Sequence, residues 1–138
     1  MTDQPARLTE LGRDECLRLL AGASLGRVAV NVPDWPPMIR PVSYVFDEPS
    51  QSVIFRSAQG SKLHALTHAA RAAFEVDGED ETGASAWSVI VVGRVEAVTA
   101  AAEVARLDRS SLRPWLRPED APHWLRIRTT AISGRRIS

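Results

Sequence analysis

The chain carries one cysteine, Cys16, and one lysine, Lys62; every other basic residue is an arginine. A lone cysteine excludes an internal disulfide and any zinc site built from several thiolates. Cys16 falls on the apolar side of an amphipathic stretch, so it reads as a small core hydrophobe and not as a nucleophile. No apolar run approaches the roughly eighteen residues that a membrane-spanning helix needs, and no apolar stretch follows a basic segment near residue 1. A cytoplasmic location without membrane association is therefore expected. Neither charge sign is in excess: 17 basic and 17 acidic residues balance to a formal net charge of zero. That balance argues against nonspecific nucleic-acid binding, which needs a basic face. With 138 residues, 44% of them hydrophobic, the chain suits one domain with a modest core. Residues 1–7 are polar and read as a flexible tail, leaving residues 8–138 as the single domain.

Leu8, Leu11, Cys16, Leu19 and Leu20 follow an approximately helical period interrupted at Gly12. A helix is expected from about Asp14, with Gly22 as its stop. Strand-like alternation covers residues 26–32, 38–46 and 52–57, separated by a proline-rich turn around Trp35 and by a polar turn over 47–51. A helix should begin near Ser61 and carry Leu63, Leu66 and Ala70 on one face. A strand follows over 72–77, then an acidic loop over 78–85 and a long valine-rich strand over 87–99. Gly93 in that strand marks a bulge or a close approach. A short helix is expected over 100–108, and a strand or strand pair from His123 to Ile137. Strands joined by tight turns are not the alternating pattern of a parallel sheet; they favour an antiparallel barrel with helices covering its ends. So small a barrel has little interior room for a cofactor, and a groove between two subunits is the natural alternative.

The most suggestive polar cluster is the turn from strand to helix around Ser57, Gly60, Ser61 and Lys62. Backbone N–H groups opening a helix, two hydroxyls and fixed positive charge are what a phosphate monoester requires. The competing reading is a lysine on a solvated first turn. Arg40 and Arg56 lie in apolar strands, where an arginine is paired, solvent-facing, or aimed at an anion or ring. His64 and His68 share a helix face at metal-ligand spacing, yet no third ligand is evident and no metal site is expected. His123 should be structural. The acidic loop lacks the ligand spacing of a calcium site and reads as a solvated turn.

Seven segments in order carry a family resemblance. They are Gly26-Arg27-Val28-Ala29-Val30, the run from Arg40-Pro41-Val42-Ser43 to Asp47, Val53-Ile54-Phe55-Arg56-Ser57, and Gly60-Ser61-Lys62-Leu63. Phe74-Glu75-Val76-Asp77, the run from Trp87-Ser88 to Val95, and Ile132-Ser133-Gly134-Arg135-Arg136 complete the set. Over roughly residues 8–137 the chain resembles the FMN-binding split-barrel superfamily, specifically its short pyridoxamine 5'-phosphate oxidase-like members and their nitroimidazole-resistance relatives. The resemblance implies a mainly β fold with short helices: a six-stranded antiparallel split β-barrel of Greek-key type. It further implies a homodimer with a flavin in a cleft at the subunit interface. By position, Arg40, Pro41, Val42 and Ser43 would flank the flavin ring, and Ile54, Phe55, Arg56 and Ser57 would lie on the neighbouring strand. Ser61 and Lys62 would complete the phosphate site, and Trp87 and Ser88 would come from the partner subunit. The implied activity is that of an FMN-dependent oxidoreductase on a small molecule. A deazaflavin cofactor, or a non-catalytic haem or flavin carrier, is the alternative. The chain is shorter than a vitamin B6 phosphate oxidase and lacks that enzyme's C-terminal substrate motif in its usual form, so B6 oxidation is not expected.

Overall fold

A computed structural model describes residues 5–58, 71–109 and 123–138. Among these residues lie eight strands and two helices. In chain order they are β1 Leu8–Leu11, α1 Arg13–Ala21, β2 Leu25–Val30, β3 Met38–Asp47 and β4 Ser52–Ser57. Then come β5 Arg71–Glu79, β6 Ala86–Ala97, α2 Ala101–Asp108, β7 His123–Arg128 and β8 Ala131–Ile137. The strands pair in the order β1-β8-β6-β5-β2-β3-β4-β7, and β7 also pairs with β6. That last pairing closes β6, β5, β2, β3, β4 and β7 into a six-stranded antiparallel barrel. Strands β2, β3 and β4 run as a meander and β5 returns beside β2, the spatial arrangement of a Greek key.

Period-two alternation explains which side chains fill the barrel. Val28 and Val30 of β2, Tyr44 of β3, Val53 and Phe55 of β4, and Phe74 and Val76 of β5 point inward with Val89, Val91 and Val95 of β6. Phe55 and Phe74 are fully buried, each worth about 1.5–3 kcal/mol of transfer free energy. Tyr44 meets Phe74 edge-on at 4.7 Å between ring centroids. Its hydroxyl donates to the Leu20 carbonyl at 2.5 Å, tying α1 to the barrel, and burial pushes its phenol above the ordinary value. Cys16 is buried in the same core, as its position in the sequence suggests.

A second, smaller cluster lies outside the barrel wall, where Ile54, Val98, Leu107 and Trp124 pack under α2. Three ion pairs fasten this helix, one of them between Asp108 and Arg56 of β4. Arg106 holds the buried Asp47, and Arg126, also buried, holds Glu103. Burial alone would raise the Asp47 carboxyl. Hydrogen bonds from Arg106 and Ser50 outweigh it, and the group ends below its usual value.

One expectation changes and one open alternative is decided. Leu8 and Leu11 do not belong to a helical run: β1 pairs along β8, from Leu8 opposite Ile137 to Leu11 opposite Gly134. The ladder continues outward, with Arg7 and Ser138 exchanging backbone hydrogen bonds of 2.8 and 3.0 Å. Gly93 forms no bulge, since it pairs in register with Ala72. It is instead a close approach, where a Cβ would come 3.3 Å from Ile127. Gly93 also stands where β6 exchanges partners, pairing with β8 up to Val92 and with β7 from Val95.

Candidate functional site

The barrel is split along one seam. Residues 38–43 of β3 pair with β2, and residues 44–47 pair with β4. At Tyr44 both neighbours are present: its N–H donates to the Ser24 carbonyl at 3.0 Å on one edge, while Phe55 is its partner on the other. The β4-side edge of residues 38–43 therefore has no strand against it among the described residues. On the facing strand, Arg56 and Ser57 pair only with β7. The seam opens from an apex at Tyr44 and Phe55 into two diverging arms, one bearing Arg40, Pro41, Val42 and Ser43 and the other Arg56 and Ser57. Two of the segments singled out in the sequence meet here.

Their side chains take different parts. Arg40 is exposed and donates to the Ile39 carbonyl at 2.9 Å, with no carboxylate in ion-pair range among the described residues. Val42 and Ser43 are half-buried. Ile54 and Phe55 are fully buried, Ile54 beneath α2 and Phe55 inside the barrel. Neither has side-chain surface to offer a ligand. Ser57 is buried at the end of its arm.

Arg56 points out of the barrel toward α2. Its guanidinium lies 4.3 Å from the centroid of the Trp124 ring and donates to Asp108 at 2.9 Å. Trp124 donates through its indole N–H to the same carboxylate oxygen at 2.8 Å. The buried Nε of Arg56 finds no acceptor among the described residues. A buried guanidinium N–H without an acceptor costs free energy, so the described residues alone leave this end of the seam one acceptor short. Asp108, which positions Arg56, escaped the sequence reading; 52 residues separate the pair, and no local pattern links them.

Trp87 and Ser88 lie elsewhere. Ser88 pairs with Asp77 of β5, and β2 stands between β5 and β3, so three strand spacings separate them from Ser43. They border a depression of about 390 Å³ together with Leu8, Ala86, Arg135 and Ile137. Trp87 lies across Gly78, where any Cβ would come 2.9 Å from the indole. A second depression of about 320 Å³, at the opposite end of the same strands, is lined by residues including Met38, Arg71 and Val92. Ser61, Lys62, His64, His68 and Trp115 fall outside the described residues. Among the described residues no three His, Cys, Asp or Glu side chains group as metal ligands. No helix among them is long and apolar enough to cross a membrane. Asp80 organises the turn after β5 by accepting from Thr82, Ser85 and the Ala84 N–H.

The open backbone edge and the unpartnered Nε of Arg56 suit a ring with a polar rim attached to an anionic tail. Three comparisons bear on this arrangement. An uncharacterized protein of Mycobacterium tuberculosis is 34% identical over 119 residues, covering 82% of this chain and 76% of its own. The structure of an FAD-binding protein from Mycobacterium smegmatis superimposes with a TM-score of 0.78 at 35% identity, covering 93% of this chain and 97% of that one. An FAD-binding protein from Mesorhizobium loti gives a TM-score of 0.76 at 25% identity, with coverage of 96% and 98%. Residues 12–136 match the pyridoxamine 5'-phosphate oxidase family as a whole. The chain belongs to that family.

Proposed function

We propose that this protein is a homodimeric flavoprotein oxidoreductase that seats FMN in the split between β3 and β4 and acts on a small molecule. The observation that carries the reading is the unpaired edge of residues 38–43, set against an arm that bears Arg56 and Ser57. Backbone N–H and C=O groups of Arg40, Pro41, Val42 and Ser43 would meet the polar rim of the ring. The chain leads from Ser57 into Ser61 and Lys62, whose hydroxyl and ammonium would hold the phosphate by charge-assisted hydrogen bonds. Bound there, the flavin supplies hydride and electron transfer, while these residues bind and orient it.

A dimer is favoured by the outer face of the barrel. Ile39, Ala29, Ala73, Val92 and Ala131 stand opposite one another across five neighbouring strands. Ile39 is 59% exposed and Val92 43%, and exposed Ile90 lies two residues along β6 on the same face. A contiguous apolar face of this kind marks an association surface. It is also the route by which Trp87 and Ser88 would reach a flavin, from the partner subunit, since their own protomer keeps them three strands away.

FAD is the second reading, favoured because two of the relatives above are described as FAD-binding. FMN and FAD share the ring and the first phosphate, so the same residues serve both. The test is the visible spectrum of the purified protein, followed by mass spectrometry of the flavin released on denaturation. Flavin bands with FMN released support the proposal, and FAD release selects the second reading. A colourless protein that binds neither flavin on titration refutes both.

A further inference from the structure

We propose that the depression at the start of β5 binds a phosphate monoester of a short aliphatic alcohol, and that Arg71 and Arg94 together hold its dianionic head. The two arginines are direct partners across the β5–β6 ladder, and both are exposed. Like charges placed opposite one another repel, and no carboxylate relieves this pair among the described residues. Glu75, further along β5, is engaged by Arg27 at 3.2 Å. Glu96, the next outward-facing residue of β6, is engaged by Arg128 at 3.2 Å. Neighbouring strands also withdraw from this rung. β2 ends at Val30, opposite Ala72, and β6 leaves β8 at Val92 and meets β7 only from Val95. The hollow beside the pair measures about 320 Å³. Arg71 is its only charged lining residue, Asn31 adds an amide, and Val30, Pro37, Met38 and Val92 are among its apolar walls. Neither an aromatic ring nor an acid lines it. A tetrahedral dianion can accept from both guanidiniums at once, while methylene groups fill the apolar part. Arg71 and Arg94 form the rung next to the apolar row, so the site opens at the margin of the face that a second copy would cover. None of its residues is among those assigned to the flavin, and the site stands independently of that reading.

The test titrates the purified protein with butyl phosphate, inorganic phosphate and butanol, following the methyl signal of Met38, one of two methionines, by NMR. Butyl phosphate should bind most tightly, since phosphate alone lacks the apolar body and butanol lacks the charge. Arg71→Gln and Arg94→Gln should each weaken butyl phosphate by about fivefold or more while moving butanol by less than about twofold. Neither variant should melt below wild type without ligand, because each removes a like-charged neighbour. Lys62→Ala should leave the affinity for butyl phosphate unchanged. The proposal fails if both arginine variants bind butyl phosphate as well as wild type, or if butanol loses as much as the anion. It fails equally if Lys62→Ala is the variant that weakens binding, which would put the anion at the flavin phosphate site. A lower melting temperature for both unliganded arginine variants would make the pair structural and overturn it as well. If no flavin binds the protein, the flavin reading alone is lost, and the butyl phosphate titration still decides the role of Arg71 and Arg94.

Discussion

Replacing Gly26 with alanine adds one methyl group at a place with no room for it. A Cβ built on Gly26 would lie 2.3 and 2.6 Å from two ring carbons of Phe74 and 2.9 Å from the Glu75 carbonyl oxygen. The ring cannot withdraw, because Phe74 is fully buried and stacked edge-on against Tyr44. Nor can the carbonyl, because Glu75 is flanked on both sides, opposite Arg27 of β2 and opposite Ile90 within the long β5–β6 ladder. Overpacking of this kind costs about 1–3 kcal/mol, and two unyielding neighbours place Gly26→Ala near 3 kcal/mol. Over 138 residues the unfolding entropy is about 290 cal/mol/K, so the midpoint should fall by about 10 °C. Thermal unfolding of the flavin-free protein, monitored by far-UV circular dichroism, measures the midpoint directly. Adding Phe74→Leu should return part of the loss, but not all of it, because the Glu75 carbonyl remains. A midpoint within about 2 °C of wild type would mean that the β2–β5 contact is looser than described, and the account of the core would fail.

Arg106→Gln strips the buried Asp47 of its cation and should cost about 3 kcal/mol. In the native protein the Asp47 carboxyl sits below its ordinary value, so its contribution is present above the carboxylate range and fades as pH falls through the folded value. In the variant, burial without a cation should raise that carboxyl, and stability should fall as pH rises through it; urea midpoints across acidic pH detect the reversal. Val92→Lys, at the centre of the exposed apolar row, should convert a dimer to a monomer in sedimentation equilibrium with little change in melting temperature. Lys62→Ala should weaken FMN binding by about tenfold, the loss of one charge-assisted phosphate contact, and leave thermal stability unchanged. Retention of full FMN affinity would place Lys62 on the solvated surface.

Most of the barrel was legible because its walls alternate cleanly. Residues 52–57 were expected as a strand and form β4 over Ser52–Ser57. The long run after Trp87 and the stop at Gly22 likewise fall within a residue or two of expectation. The strand that the sequence did not reveal was β1. Four residues with apolar Leu8 and Leu11 fit a helical period as well as a strand, and what decides the matter is pairing with β8 at the far end of the sequence. For the same reason Gly93 was singled out and Gly26 was not: clearance around a glycine depends on side chains of other strands. At the split, sequence located Arg40 through Ser43 and Arg56 with Ser57. It could not foresee that Arg56 would be held by Asp108 and Trp124, or that Arg135 would join Trp87, because both associations arise only when the chain closes on itself.

The double pairing of β6 has a kinetic consequence. Hairpins β2–β3, β3–β4 and β5–β6 join segments close in sequence, whereas β2–β5, β4–β7 and β1–β8 bring together distant ones. Strand β7 is the stave that closes the ring, bonding to β4 on one side and β6 on the other. Until it docks, both of those strands expose unsatisfied edges, the configuration most prone to joining a second chain. Folding should therefore proceed on the slow time scale of non-local β topologies, milliseconds to seconds. The yield of refolding should drop with protein concentration, because the open ring and a neighbouring molecule compete for the same two edges.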